Sequence, residues 1–490
     1  MRSRTLYIIF ISCLAFACSR TDSDVSDKNG AYPEITPDYR SVTIPPDIAP
    51  LNFKISGEFD RTRMTVSGKN FRFEKEYDGN KVTFPLKKWK RLLKECRGDS
   101  IQIEISSVTG DVWTRYRPFL IYVSGEPVDD YLVYRLLMPG FQNWNQMGIY
   151  QRSLADFNVK TILDSRVMPG TCMNCHSFAQ NSPDNMVFHL RESYGGTILY
   201  QNKKLIKINT RTDKMFANAA FPSWHPSKRF IAFSVNRVNQ IFHAVGPARA
   251  AAIDMKSDIF VYDIERNEML SSPILSSEEN FETFPCFSAD GSVIYYCSAE
   301  SVMLPAKYDS IRYSLCSVTF DAITRRFGEK PDTLVSAATS GKSISMPKVS
   351  PDGRFILFSI TDYGAFPSYN PEADLALFDL KDGTFRKLDA INSGNVESWH
   401  SWSSNGRWIG FSSRRMNGLY SNVYLAYMDE NGNPGKPFLL PQKDPDFYGK
   451  FLFSFNVPEF ITKGIDVNPY QIEKAAKSAM FTQVQSGSSH

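Results

Sequence analysis

The chain has few of the features by which common enzymes and nucleic-acid-binding proteins are recognised. It contains 8 cysteines and 6 histidines in 490 residues, too few cysteines for a disulfide scaffold. The formal net charge is only +4, and no tract of lysine and arginine is interleaved with aromatic residues, so we expect no nucleic-acid partner. The sequence also lacks a phosphate-binding glycine loop, a GxSxG nucleophile elbow and an HExxH motif, which excludes the commonest nucleotide-binding and hydrolytic sites.

Long apolar runs are also rare, and the one that could enter a membrane lies at the N-terminus. Arg2 and Arg4 precede an apolar run over residues 6–17, which has the length of a signal-peptide core and is too short to span a bilayer as a mature helix. Small residues precede Cys18, as in a bacterial lipobox. We therefore expect residues 1–17 to be removed and Cys18 to carry lipid; ordinary cleavage beside a chance cysteine is the alternative. Residues 18–45 are polar and predict a flexible tether.

Two β-rich regions follow. Alternating apolar residues over 46–135 predict a β-sandwich-like domain, with one helical insert at residues 86–96. We expect residues 136–180 to form an irregular linker.

A repeat then extends through residues 181–465. Turns followed by apolar strands recur at Pro226, Ala289, Pro351 and Asn405, with degenerate copies at Pro183 and Pro445. Repeated β units that cannot cover their own faces predict an all-β propeller, with six blades favoured and seven as the alternative. The Pro-Asp-Gly-turn pattern resembles the WD40-like repeats of TolB-type propellers. Residues 466–490 predict a C-terminal helix, from 469 to 481, and a frayed tail.

Cys172-Met-Asn-Cys175-His176 is the motif with the most specific chemistry. It has the spacing of a c-type haem attachment sequence, in which two thiols bond the haem vinyl groups and the adjacent histidine ligates the iron. Thioethers of this kind form outside the cytoplasm, where the N-terminal signal would send the chain. A local disulfide and half of a zinc site are the competing interpretations. We expect one covalent haem c.

The second axial ligand of that haem is not fixed by spacing. His243, in a polar stretch between repeat strands, is the leading candidate, ahead of Met147 and His225, and an open site is the remaining alternative. His189 and His400 adjoin strands and are expected to be structural. Arg152, Arg191 and Arg237 lie near the motif in sequence and are candidate partners of the haem propionates.

The stretch from Met168 to Phe178, between a β-sandwich and a TolB-like propeller, resembles a Bacteroidetes group of surface lipoproteins, most of all the xenosiderophore-utilisation lipoproteins. That resemblance implies a protein anchored in the outer membrane by its lipid and facing the cell surface. It implies binding of ferric siderophores, hand-over to a TonB-dependent transporter and, as an added activity, haem-dependent reduction of the bound iron.

Anionic, flat-faced ferric catecholates would suit arginines and aromatic residues at a propeller mouth, and we name Arg414, Arg415 and Tyr420 as the candidates. An electron-transfer cytochrome with a docking propeller, and a binding module with a structural haem, are the alternative functions.

Overall fold

The structure, a computed structural model, describes residues 25–27, 30–138, 146–242 and 250–487, and of residues 25–27 only the backbone. The chain is almost entirely β. Its N-terminal part has a seven-stranded and a three-stranded sheet. The strands of the larger sheet are Val25–Asp27, Thr43–Ile44, Arg61–Ser67, Arg72–Asp78, Ser100–Thr109, Val112–Arg115 and Phe119–Val123. Those of the smaller sheet are Ile35–Thr36, Phe53–Ile55 and Lys81–Val82.

The helical insert predicted at residues 86–96 is the helix Leu86–Glu95. Its apolar residues recur at helical spacing, so that Trp89, Leu92 and Leu93 form one buried face. The Trp89 indole donates a hydrogen bond of 2.9 Å to the carbonyl of Ile48, which satisfies its polar atom inside the core.

Six further sheets form the propeller, and we number its blades from the Cys172 strand onward. Strands are given from the inside of the wheel outward. Blade 1 contains Thr171–Ala179, Ser182–Glu192, Gly196–Gln201 and Lys204–Asn209. Blade 2 contains Ala219–Trp224, Phe230–Phe242, Ala250–Asp263 and Glu268–Leu270. Blade 3 contains Asn280–Phe287, Val293–Glu300, Ser314–Asp321 and two short outer strands, Arg326–Phe327 and Asp332–Val335.

The other three blades have four strands each. Blade 4 contains Ser343–Val349, Phe355–Thr361, Asp374–Asp379 and Thr384–Lys387. Blade 5 contains Glu397–Trp402, Trp408–Ser413, Asn422–Tyr427 and Phe438–Leu439. Blade 6 contains Ser454–Ile461, Tyr131–Leu137, Met147–Ser153 and Val159–Asp164. Together the six sheets make the predicted all-β propeller with six blades.

Blade 6 closes the wheel by combining two distant parts of the chain. Its inner strand Ser454–Ile461 pairs antiparallel with Tyr131–Leu137, which precedes blade 1 in the chain. The expected domain boundaries therefore shift: residues 131–135 leave the 46–135 domain, and the 136–180 linker supplies three strands. The stretch after Pro445 is not a repeat copy, since it forms the short helix Phe447–Lys450; the sixth copy begins at Pro127 instead.

The two ends of the described chain are also more ordered than expected. Residues 18–45, which we expected to be a flexible tether, contribute strands to both N-terminal sheets. The C-terminal helix is Pro469–Lys477, and it begins with a capping box between Asn468 and Gln471. Beyond it, Thr482–Gln483 and Gln485–Ser486 pair as edge strands with blades 1 and 2, where a frayed tail was expected, because their backbone groups find open sheet edges there. No described helix is long and apolar enough to cross a membrane.

Other short helical segments lie in connections. They are Tyr308–Ser310, Ala337–Ser340 and Pro367–Tyr369.

Candidate functional site

The inner strands of all six blades carry the same two-residue bulge, and Cys175-His176 is the copy in blade 1. Within each bulge the ladder register shifts, and the first residue has a positive φ between 48° and 56°. The six copies are Cys175-His176, Phe221-Pro222, Phe284-Pro285, Met346-Pro347, Trp399-His400 and Val457-Pro458. All of these residues except Pro458 line one cavity of about 60 Å³ in the central channel. His176 and His400 therefore occupy positions that proline fills in the other four blades.

His176 is buried, and neither ring nitrogen makes a well-formed hydrogen bond among the described residues, although the backbone of Val457 and Val133 lies close to the ring. The side chain is 2% exposed. Burial, with the nearby Arg135 guanidinium, lowers the pKa of His176 to about 3, so the ring is neutral at neutral pH. A neutral imidazole with free nitrogens is the form that ligates metal ions. His400 differs, because its Nε2 lies 3.0 Å from the carbonyl oxygen of Leu357.

Cys172 and Cys175 lie on the same strand and are both buried, free thiols. Burial raises the pKa of the Cys172 thiol, and Arg135 and Arg191 oppose that shift. Arg191 lies directly opposite Cys172 in the ladder. The structure thus brings the three motif residues together at one end of the central channel, close to two arginines.

Arg135 is the residue that sequence analysis missed. It belongs to the second strand of blade 6, is 8% exposed, and contacts the motif strand through the Asn174 side chain and the Met173 carbonyl oxygen. No carboxylate among the described residues pairs with it, and its Nε has no partner. Its strand precedes the motif strand in the chain, and the contact spans 38 and 39 residues to Met173 and Asn174, so no local pattern signals it.

The donor set fits a covalent haem, whereas the cavity beside His176 is too small to enclose one. Two free thiols, a neutral imidazole and an unpaired buried cation are the groups that a haem c with acidic propionates requires. The 60 Å³ cavity beside His176 is far smaller than the roughly 300–1,000 Å³ of pockets for drug-sized ligands. A porphyrin held by these residues would therefore extend beyond this cavity.

The candidate axial ligands are dispersed. His243 lies outside the described residues, as does Cys18. Met147 is next to the motif, where its sulfur accepts a hydrogen bond of 3.3 Å from the Met173 amide. His225 lies at the opposite end of the inner strand of blade 2, with Nδ1 2.7 Å from Ser227 Oγ, which gives it a structural role.

His189 and the arginines near the motif in sequence also lie in different places. His189 bonds across the sheet to Thr197 at 3.2 Å. Arg152 is buried in blade 6, where it bonds the Gln442 side chain, and Arg237 lies over the ring of Phe216. Of the three arginines named beforehand, Arg191 alone is opposite a motif cysteine.

The three candidate ligand-binding residues behave differently from one another. Arg414 lies within electrostatic range of Tyr369, and Tyr369 within range of Arg135, so Arg414 belongs to the motif end of the channel. Arg415 turns away and pairs with the fully buried Glu397 at 3.0 Å. Tyr420 is half-buried, and its amide donates to the Asn417 side chain. A ligand at this mouth would meet Arg414 and not Arg415.

The opposite end of the channel is wider and more polar, with a cavity of about 400 Å³. Lys348 and Glu459 line this cavity and also the smaller one beside His176, with Lys348 Nζ 3.8 Å from Glu459 Oε1. In the described part of the chain, no three His, Cys, Asp or Glu side chains lie close enough to hold a metal ion. The loose ion pair is therefore shared by the two cavities, whereas the thiols and arginines lie at the motif end.

Comparisons with known proteins found similarity only among solved structures. No family model and no curated protein matches the sequence. Among solved structures, TolB from Acinetobacter baumannii is similar over 74% of this chain and 78% of its own, with 13% identity and a TM-score of 0.43. A DUF4784 family protein from Bacteroides caccae is similar over 72% of this chain and 94% of its own, with 9% identity and a TM-score of 0.30.

Proposed function

We propose that the chain is a cell-surface c-type haem lipoprotein that binds ferric siderophores at the motif end of its propeller. In this proposal Cys18 carries the lipid anchor in the outer membrane, and Cys172, Cys175 and His176 hold the haem. The siderophore is passed on to a TonB-dependent transporter. The observation that carries the proposal is Arg135, a buried cation without a carboxylate partner among the described residues, placed beside two free thiols and an unpartnered imidazole.

The energetics of Arg135 support an anionic partner. A buried unpaired charge typically costs several kcal/mol, so such a group persists where something else compensates it. A haem propionate or a ferric catecholate would supply the missing negative charge. Arg191 and Arg414 add two further cations at the same end, which would attract an anion and orient it over the channel.

The roles of the chain's own residues follow from their chemistry. The thiols of Cys172 and Cys175 would fix the macrocycle by two thioether bonds, and His176 would present a neutral ring nitrogen to its iron. A haem held in this way would supply one-electron chemistry for the bound siderophore iron. Arg135 would neutralise an acidic group beside it. The apolar walls of the inner strands exclude water from the motif.

A second candidate function is a binding module without haem. The observation in its favour is that His176 lies at the repeat position where Pro222, Pro285, Pro347 and Pro458 lie in other blades, and where His400 also occurs. On this view the CxxCH spacing is a by-product of a bulge that every blade needs. An electron-transfer cytochrome would keep the haem and lack siderophore affinity.

The test uses full-length protein matured in a host able to attach haem c. Haem-stained gels and intact mass compare the protein with Cys175→Ala. Ferric enterobactin is then titrated into the reduced protein and into Arg135→Gln. The proposal expects added porphyrin mass, tight binding that weakens in Arg135→Gln, and reoxidation of the haem. Binding without porphyrin mass would establish the second candidate, and porphyrin without binding would establish the cytochrome.

A further inference from the structure

An aromatic cavity of about 420 Å³ lies on blade 6, apart from the central channel. Three strands of the blade and the segment 442–455 enclose it. Its aromatic walls are Tyr134, Tyr150, Phe447, Phe451, Phe453 and Phe455. The volume falls within the range of roughly 300–1,000 Å³ that small-molecule pockets occupy. The cavity is therefore large enough for a bicyclic organic molecule.

The walls present ring faces as well as ring edges. Phe447 and Phe451 stack with centroids 4.5 Å apart, and Tyr134 meets Phe455 edge to face at 4.9 Å. Such contacts hold the rings in fixed orientations before any ligand arrives. Phe447, Phe451 and Phe453 are only half-buried, so part of this apolar surface faces the cavity and the solvent beyond it. A flat aromatic ligand would cover these ring faces with little loss of side-chain conformational entropy, because the rings are already held in place.

A single buried cation lines the same cavity. Arg152 is 1% exposed, and it donates from Nη1 to the Gln442 side chain at 2.9 Å and from Nη2 to backbone carbonyl oxygens. Its Nε has no hydrogen-bond partner, and no described carboxylate forms an ion pair with it. Other well-covered arginines of this chain do have such partners: Arg325 pairs with Asp263, and Arg415 with Glu397.

The carboxylate that lines the cavity does not compensate Arg152. Asp164 is buried and bound by Arg166, with Nε 2.7 Å from Oδ2. This pair is internally neutral. The Arg152 guanidinium has the Phe157 ring 5.6 Å away and the Asp156 carboxylate within electrostatic range, but no described carboxylate forms an ion pair with it. A buried, unpaired guanidinium with a free N–H is a site for an anionic acceptor, because a charge-assisted hydrogen bond there would offset its desolvation.

We propose that this cavity binds a planar aromatic molecule bearing one anionic group, of the aryl carboxylate class. The rings of the six aromatic residues contact the ligand's faces, and its carboxylate accepts a hydrogen bond from Arg152 Nε. This site is separate from the motif end of the channel. Arg135 and Arg152 are the two described arginines less than one-tenth exposed, and each marks a different anion site.

The experiment measures binding of 2-naphthoate to the full-length protein by calorimetry, with the neutral 2-naphthamide as matched ligand. The site predicts that naphthoate binds about tenfold or more tightly than the amide, as expected for one hydrogen bond to a charged donor. Arg152→Gln should remove that preference. Because Arg152→Gln could unfold blade 6, Phe453→Ala at the half-buried rim provides a second variant, expected to weaken both ligands. Phe385→Ala, on blade 4, is the control that should leave both affinities unchanged.

Three outcomes would overturn the site. They are equal affinities for the two ligands, no binding at millimolar concentration, or a charge preference that survives in Arg152→Gln. The first two outcomes would mean that an ordered water, and not a ligand carboxylate, accepts the hydrogen bond from Arg152 Nε. Failure here is separable from failure of the proposed function, since Cys175→Ala and Arg135→Gln should bind naphthoate as the unaltered protein does.

Discussion

Replacing His176 with proline should remove the proposed haem ligand while leaving the propeller folded. His176 lies in the bulge of blade 1, outside the regular ladder pairs. In four other blades the corresponding residue is proline, and the residue before it has the same positive φ, near 50°, that Cys175 has. The backbone at this position therefore accepts a proline, which is unusual inside a sheet.

The expected cost in stability is small. Proline is smaller than histidine, so the substitution leaves a cavity of roughly 40 Å³, worth about 1 kcal/mol at about 24 cal/mol per Å³. Removal of two buried ring nitrogens without partners offsets part of that cost. We expect the free energy of unfolding to change by about 1 kcal/mol or less.

The assay combines denaturant unfolding with optical spectroscopy of protein matured with haem. If His176 ligates iron, His176→Pro should keep covalent porphyrin through Cys172 and Cys175, keep its unfolding midpoint, and lose the spectrum of a histidine-ligated haem. The matched control is His189→Pro. His189 lies in a strand paired on both sides, where proline should cost about 3 kcal/mol or more.

Two results would refute this reasoning. If His176→Pro unfolds as readily as His189→Pro, the bulges of the six blades are not equivalent and the repeat argument fails. If His176→Pro is stable and leaves the haem spectrum unchanged, His176 does not ligate the iron and its motif position is a property of the fold.

Three further predictions concern stability. Burial raises the pKa of Glu282 to about 8, whereas the unfolded carboxyl ionises near pH 4.5, so the free energy of unfolding falls as pH rises between those values. Between pH 5 and 7, Glu282 should account for about 2–3 kcal/mol of this loss in the free energy of unfolding. Glu282→Gln should abolish that part of the pH dependence, as measured by urea titration at each pH. Arg415→Met leaves the carboxylate of Glu397 buried without its cation and should cost about 3 kcal/mol in the same assay. Gly291→Ala places a Cβ 2.1 Å from His225 Nε2 at a φ of +82°. It should lower the free energy of unfolding by about 2 kcal/mol or more.

Each of these has a control in the chain. Gly364→Ala has a similar φ of +75° but open space around the added Cβ, so it should cost less than Gly291→Ala. Arg414→Met removes a guanidinium that has no carboxylate partner among the described residues, and should cost less than Arg415→Met. A pH dependence that persists in Glu282→Gln would place the titration on its neighbours Asp254 and Asp258, whose pKa values burial also raises.

Local patterns predicted most of the architecture. The helix at 86–95 follows from apolar spacing, and five of the six blades follow from turns with strong Pro, Asp and Gly signals. The sixth blade was assigned to the wrong segment, because the Pro445-Asp pattern imitates a repeat turn. Its actual second strand lies before blade 1, after Pro127, and no short-range pattern links residues so far apart.

The candidate site was predictable to the same extent. The spacing of Cys172, Cys175 and His176 identified the strand, and the structure places Cys175 and His176 in its bulge, with Cys172 in the regular ladder before it. The sequence contains a sign that His176 is equivalent to the four prolines. Each of these five residues stands two positions before an aromatic residue or a valine. Arg135 and Arg152 were not predictable as unpaired cations, since a missing partner is a property of the folded neighbourhood.

The way in which blade 6 is completed sets an order of events during folding. The strand Ser454–Ile461 follows the other five blades in the chain, and the wheel cannot shut before this strand is in place. Until then the strand beside Tyr131–Leu137 is missing, and the cysteines that are buried in the finished wheel adjoin an incomplete blade. In the proposed function, a porphyrin would be joined to them in that interval.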